Sequence, residues 1–270
     1  MKPNQAARFI ARSVATSAFV LAAASAVPAA ATTVAFQNVV GEWLLPVPGS
    51  TSVTYSGNPG ANATVRWGVP SNPANAQSGY NFIGSNIGPL VVPPGGSSGA
   101  ATIGTFEHVN FPINAGTSIT GISLKFTADV LIDGSSVGTR NFLYNFSHDE
   151  TPNGDNPCAD GGTQGVGVNV NGCADHVVMN FNSISETFMI GADKYTLDLA
   201  GFLVGGNPTT GFWTTENQVN TAYIQGKVNL YERAIGGGVP EPATWAMMII
   251  GFGATGVMVR NNRRRILARA

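Results

Sequence analysis

Three histidines in this 270-residue chain stand directly beside carboxylates: His108 follows Glu107, His148 precedes Asp149 and Glu150, and His176 follows Asp175. An imidazole held by an acid is the pairing that general acid–base and nucleophilic catalysis use. Successive side chains of a strand point to opposite faces, however, so a directly adjacent acid is poorly placed to orient its histidine. The sequence holds neither a Gly-x-Ser-x-Gly elbow nor a His-Glu-x-x-His helix. A carboxylate pair for glycoside hydrolysis would have to be assembled across strands. Each histidine therefore reads as structural, bonding a loop or a backbone carbonyl.

Two further groups could do chemistry. Cys158 and Cys173 lie 15 positions apart in a glycine-rich segment. A zinc site lacks a second Cys pair or a suitably spaced His pair, and a nucleophilic Cys does not usually have a disulfide partner so near, so in an oxidising compartment a bridge is expected. Around them crowd Asp149, Glu150, Asp155, Asp160 and Asp175 with Asn153, Asn156, Asn169 and Asn171. Oxygen ligands on a loop suit calcium, with Asp155 and Asp160 as candidate ligands, but the spacing matches neither an EF-hand nor a glycine-aspartate repeat. The plainer expectation is a solvated, disulfide-pinned loop without a cofactor.

Strands must position these groups. Ile122, Leu124, Phe126, Ala128, Val130 and Ile132 alternate with polar residues, the period of a half-buried strand. Asp133-Gly134 is a turn, after which Phe142, Tyr144 and Phe146 resume the alternation, predicting a hairpin that carries a long loop. The pattern recurs at Val177–Phe181, Tyr195–Leu199 and Ala222–Leu230, separated by breakers such as Pro93–Gly99. Residues 32–235 are thus expected to form one all-β domain, an antiparallel two-sheet β-sandwich with Greek-key or jelly-roll links. No fixed-period repeat argues for a solenoid or propeller.

The flanks differ in kind. Lys2, Arg8 and Arg12 precede an alanine-rich apolar run, and Ala29-Ala30-Ala31 offers a small-residue cleavage site before Thr32. Residues 1–31 therefore read as a signal peptide for the Sec translocon and signal peptidase, with an uncleaved anchor as the alternative. After a glycine-rich linker at 236–239 come Pro240-Glu241-Pro242, an uncharged run from Ala243 to Val259, then Arg260, Arg263, Arg264 and Arg265. The 17 residues of that run would span about 25 Å as a helix, just short of a bilayer core of about 30 Å. With Trp245 at one end and arginines only at the other, the run is expected to cross the inner membrane with the body outside the cytoplasm. Gly251-Phe252-Gly253-Ala254-Thr255-Gly256 matches a dinucleotide-binding pattern, but that fingerprint needs a preceding strand and a βαβ unit; small residues in a membrane helix explain it better.

The run Pro240-Glu241-Pro242-Ala243-Thr244-Trp245-Ala246, the Gly-Phe-Gly helix and the arginine tail resemble the PEP-CTERM sorting domain in its PEPxxWA variant. That resemblance implies an exported protein of an exopolysaccharide-producing Gram-negative bacterium. It also implies handling by an exosortase at Pro240-Glu241-Pro242, a transient membrane stage, and final residence at the cell surface or in the extracellular matrix. Within the body, Gly104–Ile113 is similar to the signature of the THxN, or choice-of-anchor K, family, with Glu107 where that motif has threonine, followed by His108 and Asn110. Arg66-Trp67-Gly68, Glu150–Asn153 and Asn171–Asp175 add to the likeness. It implies an extracellular β-rich domain and no assigned activity. His108 and Asn110 share a strand face, either satisfying backbone groups before Pro112 or offering a glycan contact.

Between the flanks, six basic residues face 14 acids, a formal body charge of −8 hidden behind a near-neutral total. A domain this acidic is unsuited to nucleic acid. The leading expectation is a non-catalytic surface or matrix protein, with exopolysaccharide as a candidate partner. A carbohydrate-binding module using Trp43, Trp67, Tyr80, Trp213 or Tyr223 is second, and a secreted hydrolase third.

Overall fold

A computed structural model describes residues 30–46, 52–180, 187–190, 193–232 and 242–267. The leader up to Ala29, the linker, Pro240 and Glu241 lie outside the described residues. The body is built of antiparallel strands in two sheets. The first holds β1 (Thr32–Trp43), β5 (Ile87–Val92), β7 (Gly121–Ile132), β8 (Ser135–Asp149), β9 (Asp175–Asn180) and β13 (Gly211–Thr214), in the order β13-β9-β8-β7-β1-β5. The second holds β2 (Thr54–Ser56), β3 (Asn62–Trp67), β4 (Ser78–Gly84), β6 (Ala101–Asn110), β10 (Thr187–Ile190), β11 (Asp193–Val204) and β14 (Gln218–Glu232), ordered β10-β11-β14-β6-β4-β3-β2, with β12 (Asn207–Thr209) paired to β11.

The period-2 pattern drives this arrangement. Along β7 every second residue from Ile122 to Ile132 is buried while its neighbours are half-exposed. The apolar rows of the two sheets meet in one core, where Phe106 of β6 stacks on Phe146 of β8 at 5.5 Å and Phe82 of β4 meets Phe126 of β7 edge-on at 6.4 Å. Rings offset or edge-on in this way add to the burial of their large apolar area. Gly41 and Gly104 make room for Phe82: a Cβ on either would lie 2.3 Å from its ring.

Two expectations need correction. The hairpin after β7 carries no long loop, because β8 starts at Ser135 directly after Asp133-Gly134, whose φ values of 45° and 79° form a two-residue turn. The polar stretch Ser135–Asn141 is a strand paired with Thr127–Ile132, and it lacks apolar alternation because it is largely exposed, with Val137 as its one apolar side chain packed against the core. The run expected to cross the membrane over 243–259 is helical, but α1 extends over Pro242–Leu267 and carries Arg260, Arg263, Arg264 and Arg265 within it. Among the described residues no helix is long and apolar enough to cross a membrane. Gly251, Gly253, Thr255 and Gly256 dilute the apolar run, and Arg260 ends it.

Candidate functional site

The strand period separates every histidine from its sequence neighbour. Glu107 lies on the outer face of β6, accepting a hydrogen bond from Asn81 Nδ2 at 2.7 Å, while His108 is fully buried. Asp149 is exposed beside a buried His148. Asp175 is buried, whereas His176 is half-buried and stacks on Trp213 at 4.4 Å. The acid that meets a histidine is two residues away on the same face: Glu150 Oε2 lies 3.4 Å from His148 Nε2.

His108 and Asn110 clasp the two sheets together. From β6, His108 Nδ1 reaches Thr214 Oγ1 on β13 at 2.9 Å, and Asn110 Nδ2 donates to the Thr214 carbonyl at 3.0 Å. Thr214 donates its own hydroxyl proton to the Asp175 carbonyl, at 3.1 Å, so His108 carries its proton on Nδ1 and Nε2 faces the Ser78 hydroxyl at 3.2 Å. Burial, then the neighbouring His148 and Arg66, hold the His108 pKa well below the usual imidazole range, so it stays neutral. His148 makes the reciprocal clasp from β8, sharing a 2.8 Å hydrogen bond through Nδ1 with the Tyr80 hydroxyl on β4. Burial raises the Tyr80 pKa well above its ordinary value, keeping that hydroxyl protonated.

Beneath these clasps three carboxylates converge from separate elements. Glu150 follows β8, Asp175 opens β9, and Glu216 sits in the turn between β13 and β14. One oxygen from each lies within 4.8 Å of the others, and a nitrogen each of His108 and His148 lies equally close to Asp175. Asp175 and Glu216 are fully buried. Asp175 Oδ1 accepts the Thr151 N–H at 2.8 Å, and the Asn153 amide, oriented by its neighbours, donates to Glu216 Oε1 at 3.0 Å. Asp175 Oδ2, Glu216 Oε2 and Asn110 Oδ1 find no hydrogen-bond partner among the described residues. Burial first, then repulsion from Glu150 and Glu216, pushes the Asp175 carboxyl up to about 9. Burial and Glu150 push Glu216 up to about 8. His148, Glu150, Thr151 and Asn153 form part of the wall of a pocket of about 700 Å³, and of the three acids Glu150 is the one that lines it.

The disulfide holds the loop that delivers these groups. Cys158 and Cys173 are bridged, with Cα atoms 5.3 Å apart. Inside the closed loop, Asn169 donates to Asp160 Oδ1 at 2.9 Å and accepts the Ala174 N–H at 2.8 Å, one residue before Asp175. The calcium ligands expected at Asp155 and Asp160 do not come together as a site. Asp155 is exposed, and Asp160 serves the loop, its pKa lowered by hydrogen bonds from Asn169 and Gly162. The converging acids are instead Glu150, Asp175 and Glu216, and Glu216 carries no sequence signal because only the β13–β14 turn brings it in.

The remaining predicted residues lie apart. Ala31 is exposed and Thr32 opens β1; Ala29 precedes the described residues. Pro242, Trp245 and Ala246 lie in the first turns of α1, and Arg260 is exposed on it. Of the aromatics considered for sugar stacking, Trp43, Trp67 and Tyr80 are buried in the core. No curated protein matches the chain. Residues 238–265 match the PEP-CTERM protein-sorting motif.

Proposed function

Taking the PEP-CTERM sorting motif as the premise, we propose that this is an exported, non-catalytic surface or matrix protein, a β-sandwich of the choice-of-anchor K kind sorted by an exosortase. The Sec translocon delivers it, and signal peptidase cuts before Thr32. An exosortase then cuts near Pro240-Glu241-Pro242 and leaves the body at the cell surface or in the exopolysaccharide layer. The observation that carries this reading is the motif itself. Two features support it. The first described strand begins at Thr32, the residue after the expected cleavage site. Met247, Met248, Ile249, Ile250, Phe252, Val257, Met258 and Val259 are all exposed on α1, a stretch of apolar surface that calls for a covering partner.

A hydrolase reading draws on one observation, His148 against Glu150 in the wall of a pocket. The order of contacts disfavours it. Ser118 Oγ donates to Glu150 Oε2 at 3.2 Å, so the acid stands between hydroxyl and imidazole. A nucleophilic serine needs the imidazole next to it to take its proton. Asp175 and Glu216 are buried beyond the reach of a sugar ring.

Intact mass of the protein recovered from producing cells tests the sorting proposal. The wild type should yield a species running from Thr32 to near Pro240, and a variant with Pro240, Glu241 and Pro242 replaced by Ala should yield a form that keeps its tail. A wild-type species retaining Arg260–Arg265 would refute processing.

A further inference from the structure

Glu150, Asp175 and Glu216 bring three carboxylates into one junction, and the ion-pair contact found for them among the described residues is His148 on Glu150. Buried carboxylates this close repel, so protons or a cation must lie between their oxygens. The unpartnered atoms say which kind of ligand is missing. Asp175 Oδ2 and Glu216 Oε2 are acceptors, fully buried and without donors. The Asn110 side chain lies against the Glu216 carboxyl and leaves its Oδ1 unpartnered as well.

The imidazoles are spoken for. Both nitrogens of His108 face hydroxyls, those of Thr214 and Ser78, while His148 Nδ1 is tied to Tyr80 and its Nε2 faces Glu150 Oε2 at 3.4 Å. The free donors are therefore oxygens, which suit a hard cation rather than zinc. Their mutual separation, within 4.8 Å, is the span of ligands arranged around one ion. Oxygens placed about 2.3–2.6 Å from one calcium ion fall within that limit, and calcium accepts an irregular, partly hydrated oxygen set where magnesium demands a near-ideal octahedron. Glu150 also lines the neighbouring pocket with Thr151 and Asn153, which sets one side of the junction beside space that water ligands can occupy.

We propose that this junction binds one calcium ion through the carboxylates of Glu150, Asp175 and Glu216. The ion ties the end of β8, the start of β9 and the β13–β14 turn together where the disulfide loop closes. Calcium binding here is a property of the folded body and is independent of sorting.

The test is thermal unfolding of the full chain, stripped with EDTA and then given calcium or zinc. Calcium at about 100 times its Kd should raise Tm by on the order of 5 °C. The variant D175N/E216Q should lose that shift, whereas D155N/D160N should keep it. If D175N/E216Q does not fold, E150Q, at the rim, should weaken calcium binding by at least about tenfold in titration calorimetry. No calcium shift in the wild type, or a shift that survives in D175N/E216Q or an unchanged affinity in E150Q, overturns the proposal. So does a response to zinc alone that H148Q abolishes, which would assign the junction to an imidazole-bound metal.

Discussion

Replacing Asp175 by Asn should flatten the pH dependence of stability between pH 5 and 8. The unfolded chain ionises this carboxyl near 3.8, whereas the folded protein holds its proton up to about 9, through burial first and then Glu150 and Glu216. Across that window the folded state binds the extra proton, so stability is greatest at low pH and falls as pH rises. One such group costs about 1.4 kcal/mol per pH unit, or at most about 4 kcal/mol over three units. Asn keeps the acceptor for the Thr151 N–H, at 2.8 Å, and has no proton to lose. The other groups facing Asp175 are Glu150, Glu216, Asp149, His148 and His108. Glu216, raised to about 8, adds a slope of the same sign, and His108, with its lowered pKa, adds an opposite one below about pH 6.5; both persist in the variant. Urea denaturation followed by the fluorescence of the buried Trp43 and Trp67, in EDTA at pH 5, 6, 7 and 8, measures the difference directly. The variant should gain on the wild type by about 2–4 kcal/mol between pH 5 and 8. A difference constant to within about 1 kcal/mol would refute the reasoning, since it would mean that Asp175 ionises as freely folded as unfolded.

Two further outcomes follow from the packing. Replacing both Cys158 and Cys173 by Ser opens a loop with a sequence separation of 15 and should cost about 3 kcal/mol in urea denaturation; a loss under about 1 kcal/mol would show that Asn169 and Asp160 hold the loop unaided. Phe106→Ala removes a ring packed against Tyr80 at 4.7 Å, Phe202 at 5.3 Å and Phe146 at 5.5 Å, and should cost about 3–5 kcal/mol by the same measurement, with a loss under about 2 kcal/mol meaning that the core collapses into the space.

Much of the fold was legible because burial on one face of a strand leaves a period of two in the sequence. Ile122–Ile132 shows it residue by residue, and the Asp133-Gly134 turn carries its own chemistry. Ser135–Asn141 hid its strand because a largely exposed stretch with only Val137 against the core carries no apolar row. The disulfide was legible from two cysteines in an export context. The carboxylate junction was not. Glu150 and Asp175 stood among five similar acids, and nothing local separates them from Asp155 and Asp160.

By itself the sequence determined the destination of this protein, because the sorting motif at 238–265 is a contiguous stretch whose order of residues is its content. It also determined that the body would be antiparallel β, through side-chain alternation that each strand carries alone. Only the tertiary structure decided which polar groups meet: that His108 and Asn110 reach Thr214 from 106 and 104 residues away, and that Glu216 joins Glu150 and Asp175. Such contacts depend on which strands are neighbours and on how the two sheets face each other. That choice is made by the summed packing of the core, and no single segment records it.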